Sequence, residues 1–315
     1  MCLKVCLDLA QARVGWPAIF LSSPTKDNIT GNFMKNLLGS FVFGLLCNVA
    51  TQSMACSIGT PCEIDDRTYY IATPESTGTP APAIVFVHGF GGSGKGSLNN
   101  TRMVDAYLER GYAVIAPDGH LRQGGGGRSW GFHPQSGRQS DDIAFLQTVR
   151  DDAIERFNLD PDRIILGGFS IGGSMTAYTA CIAPDSFLAY VPVGGNFWRP
   201  HPTECAGPVN MLHTHGWKDS TVPYEGRVVN RVGRDDPSAF AQGDIPYAIS
   251  LWRDTNNCPT YQARRFDTSG EFWRRSWTDC APNSALTLAL FDGGHVIPQN
   301  WPSMVIDWVE TLPAH

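Results

Sequence analysis

Short runs of apolar residues alternate along this chain with longer segments whose apolar residues recur every three or four positions. The apolar runs lie at residues 84–87, 112–116, 163–166, 188–193, 209–213 and 286–291. The helical segments lie at residues 103–110, 140–157, 172–181 and 304–311. A run that is apolar on both faces is typical of a strand buried within a parallel sheet. The alternation therefore predicts an α/β protein, with a mostly parallel central sheet and helices on both faces.

Composition supports a globular domain and argues against one class of partner. Of the 315 residues, 42% are hydrophobic and 17% are charged, which suits a chain with a large buried core. Asp and Glu number 30 against 24 Lys and Arg, so we expect no general nucleic-acid binding. Residues 225–283 are rich in Arg, Asp and Trp and show no clear periodicity. We interpret them as an insertion or a cap over the functional site.

The N-terminal region contains the pattern of a secretory signal peptide. Met34 and Lys35 precede an apolar run at residues 37–50, and a small-x-Ala sequence ends at Ala55. The run is shorter than the roughly 20 residues that span a membrane, so we predict no stable membrane anchor, with an N-terminal anchor as the alternative. Because signal peptides begin a chain, we predict that residues 1–33 are a non-native upstream extension and 34–55 the signal peptide. The mature domain is then residues 56–315.

Six of the nine cysteines lie beyond residue 55, and an even number in an exported chain favours three disulfides. Pairing of nearest neighbours predicts bonds between Cys56 and Cys62, Cys181 and Cys205, and Cys258 and Cys280. Other connectivities, and buried free thiols, remain alternatives. No pair has the C-x-x-C spacing of a zinc site, so we predict no zinc.

A G-x-S-x-G motif at residues 168–172 lies where chemistry is expected. It directly follows an apolar strand and precedes a helix of small residues. A nucleophile elbow needs this arrangement, because its serine lies on a strained turn between a strand and a helix. The helix N-terminus also directs backbone N–H groups toward a developing anion. We therefore predict that Ser170 is a nucleophile.

A serine nucleophile needs a base and a carboxylate that orients it. His295 follows the last predicted strand, and Asp219 follows the strand at residues 209–213. The chain order Ser170, Asp219, His295 is that of the α/β-hydrolases. Asp292, three residues before His295, is an alternative carboxylate.

The glycine-rich stretch at residues 89–96 admits three interpretations. It matches the G-x-G-x-x-G pattern of dinucleotide-binding proteins, and it nearly matches a phosphate loop, although Gly96 stands where that loop needs Ser or Thr. We favour an oxyanion hole, formed by the backbone N–H groups of Phe90 and Ile171. His213 and His215 could be a metal pair but lack a third ligand at useful spacing. We predict neither a metal nor a cofactor.

These motifs resemble the secreted polyhydroxybutyrate depolymerase and feruloyl/acetylxylan esterase group of the α/β-hydrolases. The matching stretches lie at residues 88–90, 141–142, 160–163, 168–175, 215–219, 222–224 and 293–295. The resemblance covers about residues 56–310 and implies an α/β-hydrolase fold and a secreted or periplasmic serine esterase. It implies poly- or oligo-3-hydroxybutyrate esters as substrates, with feruloyl or acetylxylan esters as the alternative. A peptidase and a non-catalytic binding protein of this fold are further alternatives.

Large aromatic residues are candidates for a substrate cleft. We predict Trp130, Trp198 and Trp217 as substrate-binding residues, with core packing as the alternative for each. The group often has Thr-Trp-Pro after the catalytic histidine, but this chain has Val-Ile-Pro at residues 296–298. We consider Trp301 a possible replacement for that missing tryptophan.

Overall fold

The computed structural model describes residues 56–133, 141–236 and 238–313. The predicted upstream extension (1–33) and signal peptide (34–55) lie outside the described residues. Within those ranges, no helix has both the length and the apolar character needed to cross a membrane.

The central sheet has ten strands. In chain order, the strands of the described ranges are β1 (Cys62–Ile64), β2 (Arg67–Ala72), β3 (Ala81–Val87), β4 (Ala113–Pro117), β5 (His120–Leu121), β6 (Arg128–Ser129), β7 (Leu159–Phe169), β8 (Ala189–Val193), β9 (Trp198–Arg199), β10 (Asn210–Gly216), β11 (Arg227–Val228), β12 (Ala241–Gln242), β13 (Arg265–Asp267), β14 (Phe272–Trp277) and β15 (Ala285–Phe291). The order in the sheet is β1-β2-β4-β3-β7-β8-β10-β15-β14-β13. The six strands from β4 to β15 are parallel, and the pairs outside them are antiparallel. The predicted α/β-hydrolase fold class, with its mostly parallel sheet, is confirmed.

Helices cover both faces of this sheet, as predicted. They are α1 (Gly94–Leu98), α2 (Thr101–Leu108), α3 (Asp142–Phe157), α4 (Ile171–Ile182), α5 (Ile245–Thr255) and α6 (Trp301–Val309), with a 3₁₀ turn at Pro184–Ser186. The longest helix, α3, has clear local causes. The Asp141 carboxylate accepts a hydrogen bond from the Ala144 N–H and caps its start, and Asn158 ends it in the left-handed conformation.

The two faces bury separate hydrophobic layers. Leu146, Met175 and Trp252 belong to the layer under α3, α4 and α5, and Tyr107 and Trp301 to the layer under α2 and α6. Burying each such side chain contributes about 1.5–3 kcal/mol. Trp301 is fully buried and its indole N–H donates to the Thr214 hydroxyl. The suggestion that Trp301 lines the substrate cleft is therefore wrong.

The segment at residues 225–283 is only in part a cap. Helix α5 packs on the main sheet, and the hairpin of β13 and β14 extends that sheet at its edge. Only β11 and β12 leave the main sheet, and they pair with β9 in a separate three-stranded sheet, β11-β12-β9. This small sheet lies beside the predicted nucleophile, as described below.

The described residues form three disulfides, and their pairing is the nearest-neighbour pairing predicted above. They join Cys56 to Cys62, Cys181 to Cys205, and Cys258 to Cys280. The second ties the end of α4 to the loop that follows β9. Each restrains a loop in the unfolded chain and contributes about 2–4 kcal/mol to stability.

Candidate active site

Ser170 lies on the sharp turn between β7 and α4. Its backbone has φ +59° and ψ −121°, which is unusual for a residue with a side chain. The flanking glycines make this turn possible, because a Cβ at Gly168 would overlap the Gly172 carbonyl and one at Gly172 would overlap the Val87 carbonyl. The turn presents the serine hydroxyl at the carboxyl end of the parallel strands.

The structure brings the three predicted triad residues together. The Ser170 Oγ is 2.9 Å from the His295 Nε2, and the His295 Nδ1 is 2.7 Å from the Asp219 Oδ2. The carboxylate can only accept, so the His295 Nδ1 carries the proton and Nε2 accepts from the serine hydroxyl. The other carboxylate oxygen, Oδ1, accepts hydrogen bonds from the N–H groups of Thr221 and Val222. Ser170 therefore faces a histidine nitrogen that is free to take its proton.

The environment of Asp219 keeps its carboxylate charged. Burial alone would raise its pKa, but the hydrogen bonds from His295 and from the Val222 N–H outweigh this and lower the pKa below its ordinary value. The alternative carboxylate, Asp292, lies at the surface and pairs with the Lys218 ammonium at 2.5 Å. Asp219, not Asp292, contacts His295.

The two residues predicted to supply oxyanion donors, Phe90 and Ile171, line the same cavity as Ser170. Ile171 is the first residue of α4, so its N–H has no partner within the helix. Phe90 follows β3 in the glycine-rich loop, where the Gly91 N–H donates to the Arg128 carbonyl and the Gly92 N–H to the Gly89 carbonyl. Within the described ranges, the Phe90 N–H donates no hydrogen bond. Both amides are therefore available to an incoming carbonyl oxygen.

His88 holds the glycine-rich loop of Phe90 in place, a role that the sequence did not reveal. Its Nε2 accepts from the Gly119 N–H at 3.0 Å, so its Nδ1 carries the proton and donates to the Gly89 carbonyl at 2.7 Å. Burial lowers the pKa of His88, which favours this neutral form. The Trp130 indole N–H donates to the His88 carbonyl at 3.0 Å. The sequence signal for such a loop-fixing histidine is a His-Gly pair at the end of a strand.

The predictions for the three cleft tryptophans had different outcomes. Trp130 is only 1% exposed and packs in the core, so its prediction as a substrate-binding residue is wrong. Trp217 is 55% exposed and lies outside the cavity next to Ser170. Trp198 lines that cavity, and its indole N–H donates to the Ser174 hydroxyl at 3.0 Å.

The cavity beside Ser170 has a volume of about 220 Å³ and mainly apolar walls. Its lining residues are Phe90, Ser170, Ile171, Ser174, Asn196, Phe197, Trp198, Thr221, Val222, Gln242 and Gly243. The small sheet supplies one wall, where Trp198 on β9 pairs with Gln242 on β12. This volume is well above the roughly 10–15 Å³ that one water molecule needs, so the cavity has room for an acyl group.

A buried chain of hydrogen bonds connects this cavity to the Asp219 loop. The Asn196 amide donates to the His213 Nδ1 at 3.1 Å, and the His213 Nε2 donates to the His215 Nδ1 at 3.3 Å. The His215 Nε2 then donates to the Val222 carbonyl at 2.9 Å. The Val222 carbonyl can only accept, so all three hydrogen bonds run from Asn196 toward Val222. In this arrangement each histidine has one donating and one accepting nitrogen, and both are neutral. In the described part of the chain, no three His, Cys, Asp or Glu residues could hold a metal ion.

We expect these buried histidines to make the protein less stable in mild acid. Burial lowers the pKa values of His213 and His215, while in the unfolded chain each has its ordinary value of about 6.5. Below about pH 6.5 the unfolded state binds more protons, so each histidine costs about 1.4 kcal/mol of stability per pH unit. The variant His213→Gln keeps a donor and an acceptor without titrating in this range. We would measure the free energy of unfolding in urea at pH 7.5 and at pH 5.0 for both proteins. The loss between these two pH values should be about 2 kcal/mol smaller for His213→Gln than for the wild type. Equal losses would show that His213 is already charged in the fold.

Known proteins with similar sequences are mainly esterases. Over 187 residues the chain is 27% identical to feruloyl esterase B of Piromyces equi, covering 56% of this chain and 33% of that protein. It is 23% identical over 160 residues to the bifunctional acetylxylan esterase/xylanase XynS20E of Neocallimastix patriciarum, covering 50% of this chain and 22% of that protein. With the putative esterase NocK of Nocardia uniformis subsp. tsuyamanensis it shares 29% over 162 residues, covering 48% and 45%. The chain thus matches less than half the length of each of these relatives.

Solved structures with this fold include two ester hydrolases. The acetyl xylan esterase from Aspergillus awamori aligns with a TM-score of 0.57 at 15% identity, covering 78% of this chain and 94% of that one. The Bacillus cereus carboxylesterase aligns with a TM-score of 0.50 at 12% identity, covering 78% and 94%. At these identities the likeness extends to the fold alone.

A family model also matches this chain directly. The model of the phospholipase/carboxylesterase family matches residues 70–230, which is half of the chain and runs from β2 to beyond Asp219. The match includes the elbow serine and the glycine-rich loop, and His295 follows it in the chain order expected of this fold. The chain therefore belongs to the phospholipase/carboxylesterase family.

Proposed function

We propose that this protein is a serine carboxylic ester hydrolase that acts through an acyl-enzyme. The observation that carries the proposal is the 2.9 Å contact between the Ser170 Oγ and the His295 Nε2. The serine oxygen attacks the ester carbonyl while His295 takes its proton. Asp219 holds the imidazole in the required tautomer and stabilises its charged form.

The oxyanion that forms during this attack needs hydrogen-bond donors. The backbone N–H groups of Phe90 and Ile171 supply them in our proposal, and His88 positions the first by fixing the loop. The protonated His295 then gives its proton to the leaving alcohol. Water, activated by the same imidazole, releases the acid and restores Ser170.

Plant-wall esters are the substrate class that we favour. Feruloyl esterase B and the acetylxylan esterase/xylanase are named for feruloyl and acetyl esters. The cavity beside Ser170 agrees with an acyl group larger than acetyl, because Phe197 and Trp198 give it an aromatic wall. Hydroxybutyrate esters, our first expectation, gain no support from these relatives. We further propose that the protein acts outside the cytoplasm, since its three disulfides need an oxidising compartment.

A substrate panel tests this choice. We expect wild-type protein with intact disulfides to hydrolyse methyl ferulate and acetylated xylan with at least roughly tenfold higher kcat/KM than hydroxybutyrate trimers. Trp198→Ala should raise the KM for methyl ferulate by about tenfold, because the aromatic contact with the acyl group is lost. The KM for p-nitrophenyl acetate should change much less. A preference for hydroxybutyrate trimers would contradict the proposed substrate, and no turnover of any ester would contradict the proposed reaction.

A further inference from the structure

The hairpin of β13 and β14 at the edge of the main sheet exposes aromatic side chains on one face. Phe266 is 53% exposed and Trp273 is 38% exposed. Phe266 pairs with Arg275 across the hairpin, and Trp273 lies two residues from Arg275, so all three side chains share one face. Exposed apolar side chains that share one face form a candidate interaction surface.

The opposite face of the same hairpin carries paired polar side chains and the buried Phe272. Arg274 forms an ion pair with Asp267, and the Ser276 hydroxyl lies 2.9 Å from the hydroxyl of Thr287 on β15. The aromatic face lies on the side of the sheet where α5 packs. The α5 helix contacts β15 but leaves Phe266 and Trp273 exposed. Phe266, Trp273 and Arg275 thus lie on one exposed face of the hairpin, and the ion pair of Arg274 with Asp267 lies on the other.

Arg275 adds an unpaired positive charge to this aromatic face. Its guanidinium carbon lies 5.5 Å from the centre of the Phe266 ring, and the side chain is exposed. Within the described ranges Arg275 forms no salt bridge. A guanidinium held against a ring keeps its N–H edge free for the two oxygens of a carboxylate.

The aromatic surface continues from the hairpin to the catalytic loop. Trp273 pairs with Leu290 on β15, and Leu290 pairs with His215 on β10. The His215 ring lies 6.1 Å from the ring of Tyr224, which places Tyr224 on the same side of the sheet. The Tyr224 ring lies 5.9 Å from the ring of exposed Trp217, two residues before Asp219. We call Trp217, Tyr224, Phe266, Trp273 and Arg275 the aromatic track.

We propose that the aromatic track binds an acidic polysaccharide that carries uronate groups and guides its esters to Ser170. This inference rests on the proposed function. Sugar rings offer apolar C–H faces that stack on Trp217, Phe266 and Trp273, and a uronate carboxylate pairs with Arg275. The single exposed charge of Arg275 suits one carboxylate at a time. The excess of acidic residues over the whole chain, 30 against 24 basic residues, argues against a densely charged polyanion such as nucleic acid.

Binding can be tested without hydrolysis in the full chain carrying Ser170→Ala. We would titrate it with soluble glucuronoxylan, and with the same polymer after its uronates are reduced to neutral sugars. Phe266→Ala and Trp273→Ala should each weaken binding of both polymers by about tenfold. Arg275→Gln should weaken binding of the acidic polymer by about tenfold and leave binding of the reduced polymer within twofold.

The matched control is Arg265→Gln, on the same hairpin but the opposite face. It should leave binding of both polymers unchanged. Equal effects of Arg265→Gln and Arg275→Gln would show unspecific charge attraction and overturn the proposal. The proposal would also be overturned if the protein bound neither polymer and instead self-associated in sedimentation experiments, with Phe266→Ala abolishing the self-association. That result would assign the surface to a second copy of the chain. Methyl ferulate turnover by the wild type tests the proposed function separately, since it does not require the track.

Discussion

Replacement of Ser170 by alanine is expected to lower kcat for methyl ferulate or p-nitrophenyl acetate by a factor of roughly 10⁵–10⁶. The variant loses the only oxygen that lies within hydrogen-bond distance of the His295 Nε2 among the described residues. Its oxyanion donors remain, so a small residual rate above that of water should persist. Initial rates with freshly purified, disulfide-intact protein measure the effect.

Ser174→Ala is a matched control for this variant, one helical turn away. The Ser174 hydroxyl accepts the Trp198 indole N–H and lines the same cavity, but it does not contact His295. We expect its kcat to stay within about tenfold of the wild type, since one neutral hydrogen bond is lost. If Ser170→Ala kept more than about one hundredth of the wild-type kcat, a nucleophile other than Ser170 would be required.

Replacement of Asp219 by asparagine should lower kcat by about 10⁴-fold with little change in the fold. The asparagine oxygen can still accept from the N–H groups of Thr221 and Val222, so the amide nitrogen faces His295. An amide nitrogen donates, and it therefore forces the proton of His295 onto Nε2. A protonated Nε2 cannot accept the proton of Ser170. Initial rates measured across pH 6–9 would reveal the loss.

Asp292→Asn is the corresponding control, because Asp292 is the other carboxylate close in sequence to His295. Its ion pair with Lys218 is exposed, and such pairs contribute only about 0–1 kcal/mol. We expect kcat to change by less than about twofold. A similar large loss in both variants would mean that the position of His295 depends on the whole turn at residues 292–295 rather than on the Asp219 carboxylate.

Much of the sheet was predictable from continuous apolar runs. The run at residues 84–87 lies in β3, and that at 286–291 lies in β15, because strands buried on both faces carry apolar residues at every position. The edge hairpin was missed for the opposite reason. In β14, Trp273, Arg274 and Arg275 follow one another, so neither an apolar run nor a clean alternation marks the strand. Of its three aromatic side chains, Phe272 and Trp277 are buried and only Trp273 is exposed.

The triad was easier to predict from the sequence than the cavity was. Chain order and strand ends sufficed to select Ser170, Asp219 and His295, since the carboxyl ends of parallel strands meet at one edge. The aromatic residues were harder, because Trp130 and Trp198 look alike in sequence. Only the three-dimensional packing shows that the Trp130 indole is buried against His88 while Trp198 faces the cavity.

The small three-stranded sheet of β9, β11 and β12 has a consequence for how proteins with this fold diversify. It shapes the acyl cavity, yet it shares no strand with the ten-stranded sheet that carries the elbow. Insertions or exchanges within it would alter the cavity without shifting Ser170, Asp219 or His295. New ester preferences could therefore arise by loop exchange in this module, while the rigid elbow is inherited unchanged.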